Sequence, residues 1–123
     1  MEKLGLSPHG TRVIQKIIDR LTDMKILATF NNIFHSHVIN FSKDVNGNHI
    51  IIKFIFTIKY PNNNYVYDIL LNSILEVATD KHGCCVLQKC IEYAYDIQKV
   101  KIQITLLLLS LLENLNWNFN RLN

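Results

Sequence analysis

Three stretches decide the reading of this sequence: Ser7–Leu21, SPHGTRVIQKIIDRL; Asp44–Ile58, DVNGNHIIIKFIFTI; and Asp80–Ala94, DKHGCCVLQKCIEYA. They align without gaps on Gly10, Gly47 and Gly83, at intervals of 37 and 36 residues. Self-similarity at such a period marks a repeat architecture, in which each unit is one supersecondary element. Counted from the glycine, offsets 3, 4, 7, 8 and 11 read Val13, Ile14, Ile17, Ile18, Leu21 in the first unit. They read Ile50, Ile51, Phe54, Ile55, Ile58 in the second and Val86, Leu87, Cys90, Ile91, Ala94 in the third. Every one is apolar. That spacing paints a stripe along an α-helix, whereas a strand would need alternation.

The flanks agree with helices. Ser7, Asp44 and Asp80 stand three residues before each glycine, where a side-chain oxygen can cap free backbone N–H groups. Pro8 takes the first helical position, where its missing N–H costs nothing. Val38, Ile39 and Phe41, and again Ile74, Leu75 and Val77, form a second apolar element ahead of two of the caps. Each unit is therefore expected to hold at least two packed helices. Tyr60-Pro61-Asn62-Asn63-Asn64 is the clearest break between units, and Thr22-Asp23 a weaker one. Such units cannot bury their apolar faces alone, so they stack into a solenoid. The expected fold is all-α, with repeats at roughly 1–27, 28–64 and 65–100 and a degenerate C-terminal helix over 101–123.

The informative residues are those the stripe leaves out. Offsets 1, 2 and 5 are Thr11, Arg12, Gln15; Asn48, His49, Ile52; and Cys84, Cys85, Gln88. The first and last of each triplet are four apart on one helix face, with the middle one beside them. Two side chains so placed can meet one flat object edge-on while their neighbour lies against its plane.

The matching stretches GTRVIQK, GNHIIIK and HGCCVLQK resemble the RNA-reading motif of the Pumilio (PUF) family, in register in all three units and over roughly Leu4 to Tyr95. The segments DVNGNH and TDKHGCCVLQKCIEYA look most like divergent plant members. The resemblance implies a right-handed α-α superhelix with the glycine helices on its concave face. It also implies that each repeat reads one base of a single strand with two or three side chains. Carried over, Thr11 and Gln15, Asn48 and Ile52, and Cys84 and Gln88 would contact base edges, while Arg12, His49 and Cys85 would stack. Stacking on a planar side chain is worth about 1–3 kcal/mol per base; Cys85 offers less surface than Arg12 or His49. The family's code pairs Cys with Gln for adenine and Asn with Gln for uracil. Ile52 departs from it, because isoleucine neither donates nor accepts, and the Thr11/Gln15 pair has no assignment. Family RNA runs antiparallel to the repeats, which gives 5′-A-U-N-3′. The function implied is control of messenger RNA translation and stability through 3′ untranslated regions, with protein cofactors of repression as further partners.

Offset 6 is lysine throughout. Lys16, Lys53 and Lys89 are candidate phosphate contacts, each adding to the salt dependence of binding; a solvated helix face explains them equally well. His82, Cys84, Cys85 and Cys90 do not have zinc spacing, which pairs Cys-x2–4-Cys with a second pair further on. Adjacent cysteines on a helix point about 100° apart, so neither metal nor cofactor is expected. No Ser/His/Asp order, paired carboxylates or Gly-rich phosphate loop is present, and no enzymatic activity is expected.

Composition sets the outer limits. An apolar share of 49% with 19% charged residues suits an ordered chain, and a net charge of +3 is compatible with RNA without arguing for it. Three cysteines within seven residues, an odd number, read as reduced thiols. The start MEKLGLSPHG lacks the apolar core of a secretory signal. Ile102–Leu112 is too short for a bilayer, which needs about 20 residues. These features point to a soluble intracellular protein, in the cytoplasm or, as an alternative, the nucleus or nucleolus. Two rival functions stay open. One is a protein-binding scaffold of the HEAT or armadillo kind, which accounts for stacking but not for the mostly polar triplets. The other is a degenerate fragment with weak or no RNA binding: three repeats stand where family domains usually hold eight, and Glu113–Asn123, ENLNWNFNRLN, opens no fourth motif. The run Leu106–Leu112 reads as a helix without its neighbour.

Overall fold

The computed structural model describes the backbone of residues 1–122 and the side chains of residues 1–114, and among these there are helices and turns but no strand. Residues 1–93 form one compact unit. It contains α1 (Glu2–Gly5), α2 (Pro8–Asp19), α3 (Met24–Phe34), α4 (Val38–Ser42), α5 (Asn48–Thr57), α6 (Asn64–Asn72), α7 (Ile74–Ala78) and α8 (Lys81–Tyr93), with a 3-10 turn at His35–His37. The glycine helices α2, α5 and α8 lie side by side in chain order, α5 touching both others. Short helices α1, α4 and α7 each pack on the glycine helix that follows. This is a helical-repeat stack, the all-α solenoid arrangement expected. Helices α3 and α6 give the first two units a third helix that carries no glycine marker. The division expected at 27/28 falls inside α3, and the one at 64/65 at the start of α6.

Local chemistry explains where the glycine helices begin. Ser7 Oγ accepts from the Gly10 N–H at 3.0 Å. Asp44 Oδ2 accepts from Asn46 and Gly47, both at 2.8 Å. Asp80 Oδ2 accepts from Gly83 at 2.8 Å and His82 at 2.9 Å. The Gly83 bond, foremost, holds the Asp80 carboxyl below its ordinary value. Each cap satisfies donors the helix itself cannot.

The glycines serve proximity rather than backbone freedom, since none has a positive φ. A Cβ on Gly47 would lie 2.7 Å from Phe41 Cα and 2.8 Å from its carbonyl oxygen. On Gly10 it would overlap the Leu4 carbonyl oxygen, and on Gly83 that of Val77. In all three units the obstacle is main chain six residues earlier, in the short helix. Glycine is what lets α1, α4 and α7 approach so closely.

Behind the glycine helices lies an aromatic core. Phe34, Phe41, Phe54 and Tyr67 are fully buried. The Phe54 ring centre is 5.0 Å from that of Phe34, 5.9 Å from Phe30 and 5.8 Å from Tyr65. The Tyr67 hydroxyl donates to the Cys90 carbonyl at 2.8 Å, tying α6 to α8.

Burial along the stripe has a direction. Offsets 3 and 7 are sealed in the second and third repeats (Ile50, Phe54, Val86, Cys90), but in the first Val13 is half-buried and Ile17 is 44% exposed. Offsets 4 and 8 are sealed in the first two (Ile14, Ile18, Ile51, Ile55), but in the third Leu87 is half-buried and Ile91 is 47% exposed. The first pair therefore faces the preceding repeat and the second pair the following one. Leu75, apolar by sequence like Ile39, is also exposed.

From Ala94 onward the chain forms a second compact unit, dominated by α9 (Asp96–Leu122). Its start is capped by Gln98, whose Oε1 accepts from the Tyr95 N–H at 3.0 Å. Leu106, Leu107, Leu108, Leu111 and Leu112 are exposed. The expectation of a failed fourth motif at Glu113–Asn123 falls largely on side chains outside the described residues. No helix among the described residues is long and apolar enough to cross a membrane.

Candidate nucleic-acid interface

Offsets 1 and 5 do meet on the glycine helices. Gln15 Nε2 donates to Thr11 Oγ1 at 3.4 Å, and Gln88 Nε2 approaches Cys84 Sγ at 3.9 Å. In the middle unit Ile52 has no such bond to make. Asn48 instead donates through Nδ2 to the carbonyls of Asp44 at 2.8 Å and Val45 at 2.9 Å. No buried side-chain nitrogen or oxygen among the described residues lacks a partner, so the Asn48 Oδ1, which makes no hydrogen bond, is not fully sealed from solvent.

The offset 1 residues differ in access. Thr11 is 4% exposed, and its hydroxyl donates to the Asn46 carbonyl in the next repeat at 2.9 Å. Asn48 is 6% exposed, Cys84 half-buried and Gln88 exposed. Gln15 and Ile52 are half-buried. Arg12, His49 and Cys85, the offset 2 residues, are all exposed, one per glycine helix.

The lysines are not equivalent. Lys53 Nζ reaches back from α5 to Asp19 Oδ1 on α2 at 2.8 Å. Lys89 Nζ pairs with Glu92 Oε2 on its own helix at 3.0 Å, a bond that raises its pKa, and lies 5.8 Å from the Tyr93 ring centre. Lys16 is exposed and makes no ion pair among the described residues. Exposed pairs of this kind contribute about 0–1 kcal/mol and are open to exchange with another anion.

Sequence reasoning missed Asn46. Its carbonyl takes the Thr11 hydroxyl, and its Nδ2 donates to the Leu6 carbonyl at 3.0 Å, so one residue clasps two repeats together. The available signal was a polar side chain just before every repeat glycine: His9, Asn46 and His82. The thiols lie apart in environment: Cys84 half-buried, Cys85 exposed, Cys90 buried with its thiol pushed up to about 12 by desolvation. No group of His, Cys, Asp or Glu among the described residues is placed to hold a metal ion.

Stacked helices with offsets 1 and 5 paired in the first and third repeats, and an exposed offset 2 side chain in all three, define an α-helical repeat protein. The family model described as a Pumilio-family RNA binding repeat matches residues 3–33, 37–57 and 73–102. The chain belongs to the Pumilio family. It is 30% identical over 100 residues to putative pumilio homolog 8, chloroplastic, of Arabidopsis thaliana, covering 81% of this chain and 19% of that protein. Among solved structures it resembles the Puf4 RNA binding domain bound to an HO endonuclease RNA 3′ UTR recognition sequence: TM-score 0.82, 34% identity, 87% of this chain and 33% of that one. The RNA-binding domain of yeast Puf5p bound to MFA2 RNA gives a TM-score of 0.70 at 33% identity, over 84% of this chain and 30% of that one. The chain thus spans about a fifth of that curated relative and a third of those solved domains.

Proposed function

We propose that this protein binds single-stranded RNA across α2, α5 and α8, one base per repeat, and by that binding controls translation or stability of messenger RNA through 3′ untranslated regions. The observation that carries the reading is the meeting of Gln15 with Thr11 and of Gln88 with Cys84, each beside an exposed offset 2 side chain, on the two glycine helices that flank α5. Arg12, His49 and Cys85 stack against successive bases. Gln15, the Asn48 Oδ1, Cys84 and Gln88 meet base edges. Thr11, with its hydroxyl donated to Asn46, positions the Gln15 amide, and Ile52 supplies shape without a hydrogen bond. Lys16 meets a phosphate directly, while Lys53 and Lys89 exchange exposed carboxylates for one. The order of bases favoured is 5′-A-U-N-3′. The Puf4 and Puf5p domains, bound to RNA, support the ligand class.

Titration of a fluorescent A/U-containing strand tests this. Arg12→Ala combined with His49→Ala removes two stacking surfaces, each worth about 1–3 kcal/mol, and should weaken binding at least tenfold. Ile52→Gln should tighten binding to a strand with uracil at the middle position. Unchanged affinity of the double variant overturns the site. Recovery of protein partners insensitive to ribonuclease, without RNA binding, favours the scaffold function instead.

A further inference from the structure

One hydroxyl proton decides what the first repeat can offer a base. A threonine hydroxyl carries a single hydrogen, and that of Thr11 goes to the Asn46 carbonyl in the next repeat, at 2.9 Å. Thr11 is 4% exposed. Toward Gln15 its oxygen can therefore only accept, so Nε2 is the end of that amide turned to Thr11, at 3.4 Å, and Oε1 is the end turned away. Asn46 is itself held from two sides: its Nδ2 donates to the Leu6 carbonyl at 3.0 Å and its N–H to Asp44 Oδ2 at 2.8 Å. Asn48, the offset 1 residue of the second repeat, donates to Asp44 and Val45 within its own unit instead. We propose that Asn46, outside the triplets and one repeat away, sets the first repeat to adenine by withholding the Thr11 proton from the base.

The inference rests on the reading of RNA across α2, α5 and α8. With Thr11 unable to donate, the pair presents a base edge with one amide: an acceptor at Oε1 and the second hydrogen of Nε2. Adenine carries two polar groups on its Watson–Crick edge, the 6-amino group and N1, followed by an apolar C2–H. Uracil, cytosine and guanine carry three. Laid along the row Oε1, Nε2, Thr11, adenine gives an amino hydrogen to Oε1, takes the Nε2 hydrogen at N1 and sets C2–H against Thr11. Cytosine matches the first two but brings its O2 to an oxygen with no proton to give. Uracil and guanine likewise bring a third polar atom for which the pair holds no separate partner. A polar group removed from water and left unpaired is penalised. Arg12, exposed beside the pair, covers the face of the base. The favoured strand becomes 5′-A-U-A-3′.

Fluorescence titration of the full chain with 5′-C-C-A-U-X-C-C-3′, X being each of the four bases, tests this. Wild type should bind X = A about tenfold more tightly than any other, a difference of about 1.4 kcal/mol. Adenine analogues lacking the 6-amino group (purine) or N1 (1-deazaadenine) should fall to the level of the other bases. Asn46→Gly removes the Leu6 bond and lets the peptide turn. The freed Thr11 hydroxyl then reaches cytosine O2, and the A-to-C ratio should drop several-fold; Asn46→Ala should lower it less. Thr11→Val alone should keep the adenine preference. Added to Asn46→Gly it should restore that preference, a rescue that a merely structural role of Asn46 does not predict. Circular dichroism establishes that each variant is folded. Loss of the preference in Thr11→Val overturns the proposal, because the hydroxyl would then be reading the base. Folded Asn46 variants with an unchanged ratio overturn it too, as does a double variant that fails to recover. Wild-type binding indifferent to X overturns this inference alone, whereas no binding to any strand overturns the reading of RNA with it.

Discussion

Alanine in place of Gly47 should destabilise the protein, against the ordinary rule for a glycine in helical conformation. Gly47 has φ −62° and ψ −32°, so alanine fits the backbone without strain. At an unconstrained site of this kind the substitution gains about 0.4–1 kcal/mol by restricting the unfolded chain. Here the new methyl group would stand 2.7 Å from Phe41 Cα, and α4 must retreat by about 0.7 Å to reach 3.4 Å. The obstacle is main chain, so no rotamer change relieves it. Overpacking of a tight site costs about 1–3 kcal/mol. Central values leave a net loss of about 1 kcal/mol, or a Tm lower by roughly 4 °C. Urea denaturation of Gly47→Ala beside Asn32→Ala, an exposed change within α3, measures it. If Gly47→Ala proves as stable as Asn32→Ala, proximity is not why glycine recurs.

Two other outcomes follow from burial. Phe54→Ala removes a fully buried ring packed among Phe30, Phe34 and Tyr65 and should cost about 3–5 kcal/mol. Phe56→Ala, two residues on and 51% exposed, should cost far less by the same denaturation assay. The Cys90 thiol, ordinarily 9.0, is raised to about 12 by burial, so the unfolded chain ionises first and stability falls as pH rises from about 9 to 12. Tyr65 and Tyr67 are also raised, from 10.0. In Cys90→Val the alkaline loss should therefore begin about one pH unit later, near 10, as measured by urea midpoints across that range.

Gly10, Gly47 and Gly83 were legible because a repeat writes the same packing problem three times. The caps Ser7, Asp44 and Asp80 followed from short-range rules that hold without tertiary structure. Helices α3 and α6 were harder to read: they begin at Met24 and Asn64 with no shared glycine, and their apolar residues serve different neighbours. Burial of Thr11 could not be inferred locally, because its partner Asn46 is 35 residues away. Lys53 looked like free surface charge for the same reason, since Asp19 lies on another helix. The outward turn of Ile17 and Ile91 was hidden because identical offsets are sealed in the other repeats. Periodicity names which residues are apolar, while position in the stack decides whether they find cover.

The clasp at Asn46 has a mechanical consequence. It joins the N-terminal ends of α2 and α5 through two largely sheltered hydrogen bonds, while further along the same helices Lys53 and Asp19 meet in water. Dissolved ions screen the second contact and barely touch the first. The seam between these helices is therefore riveted at one end and laced at the other, and added salt weakens only the laced end. The loss is at most the ~0–1 kcal/mol an exposed pair contributes, while the apolar side chains Ile14, Ile18, Ile50 and Phe54 stay buried.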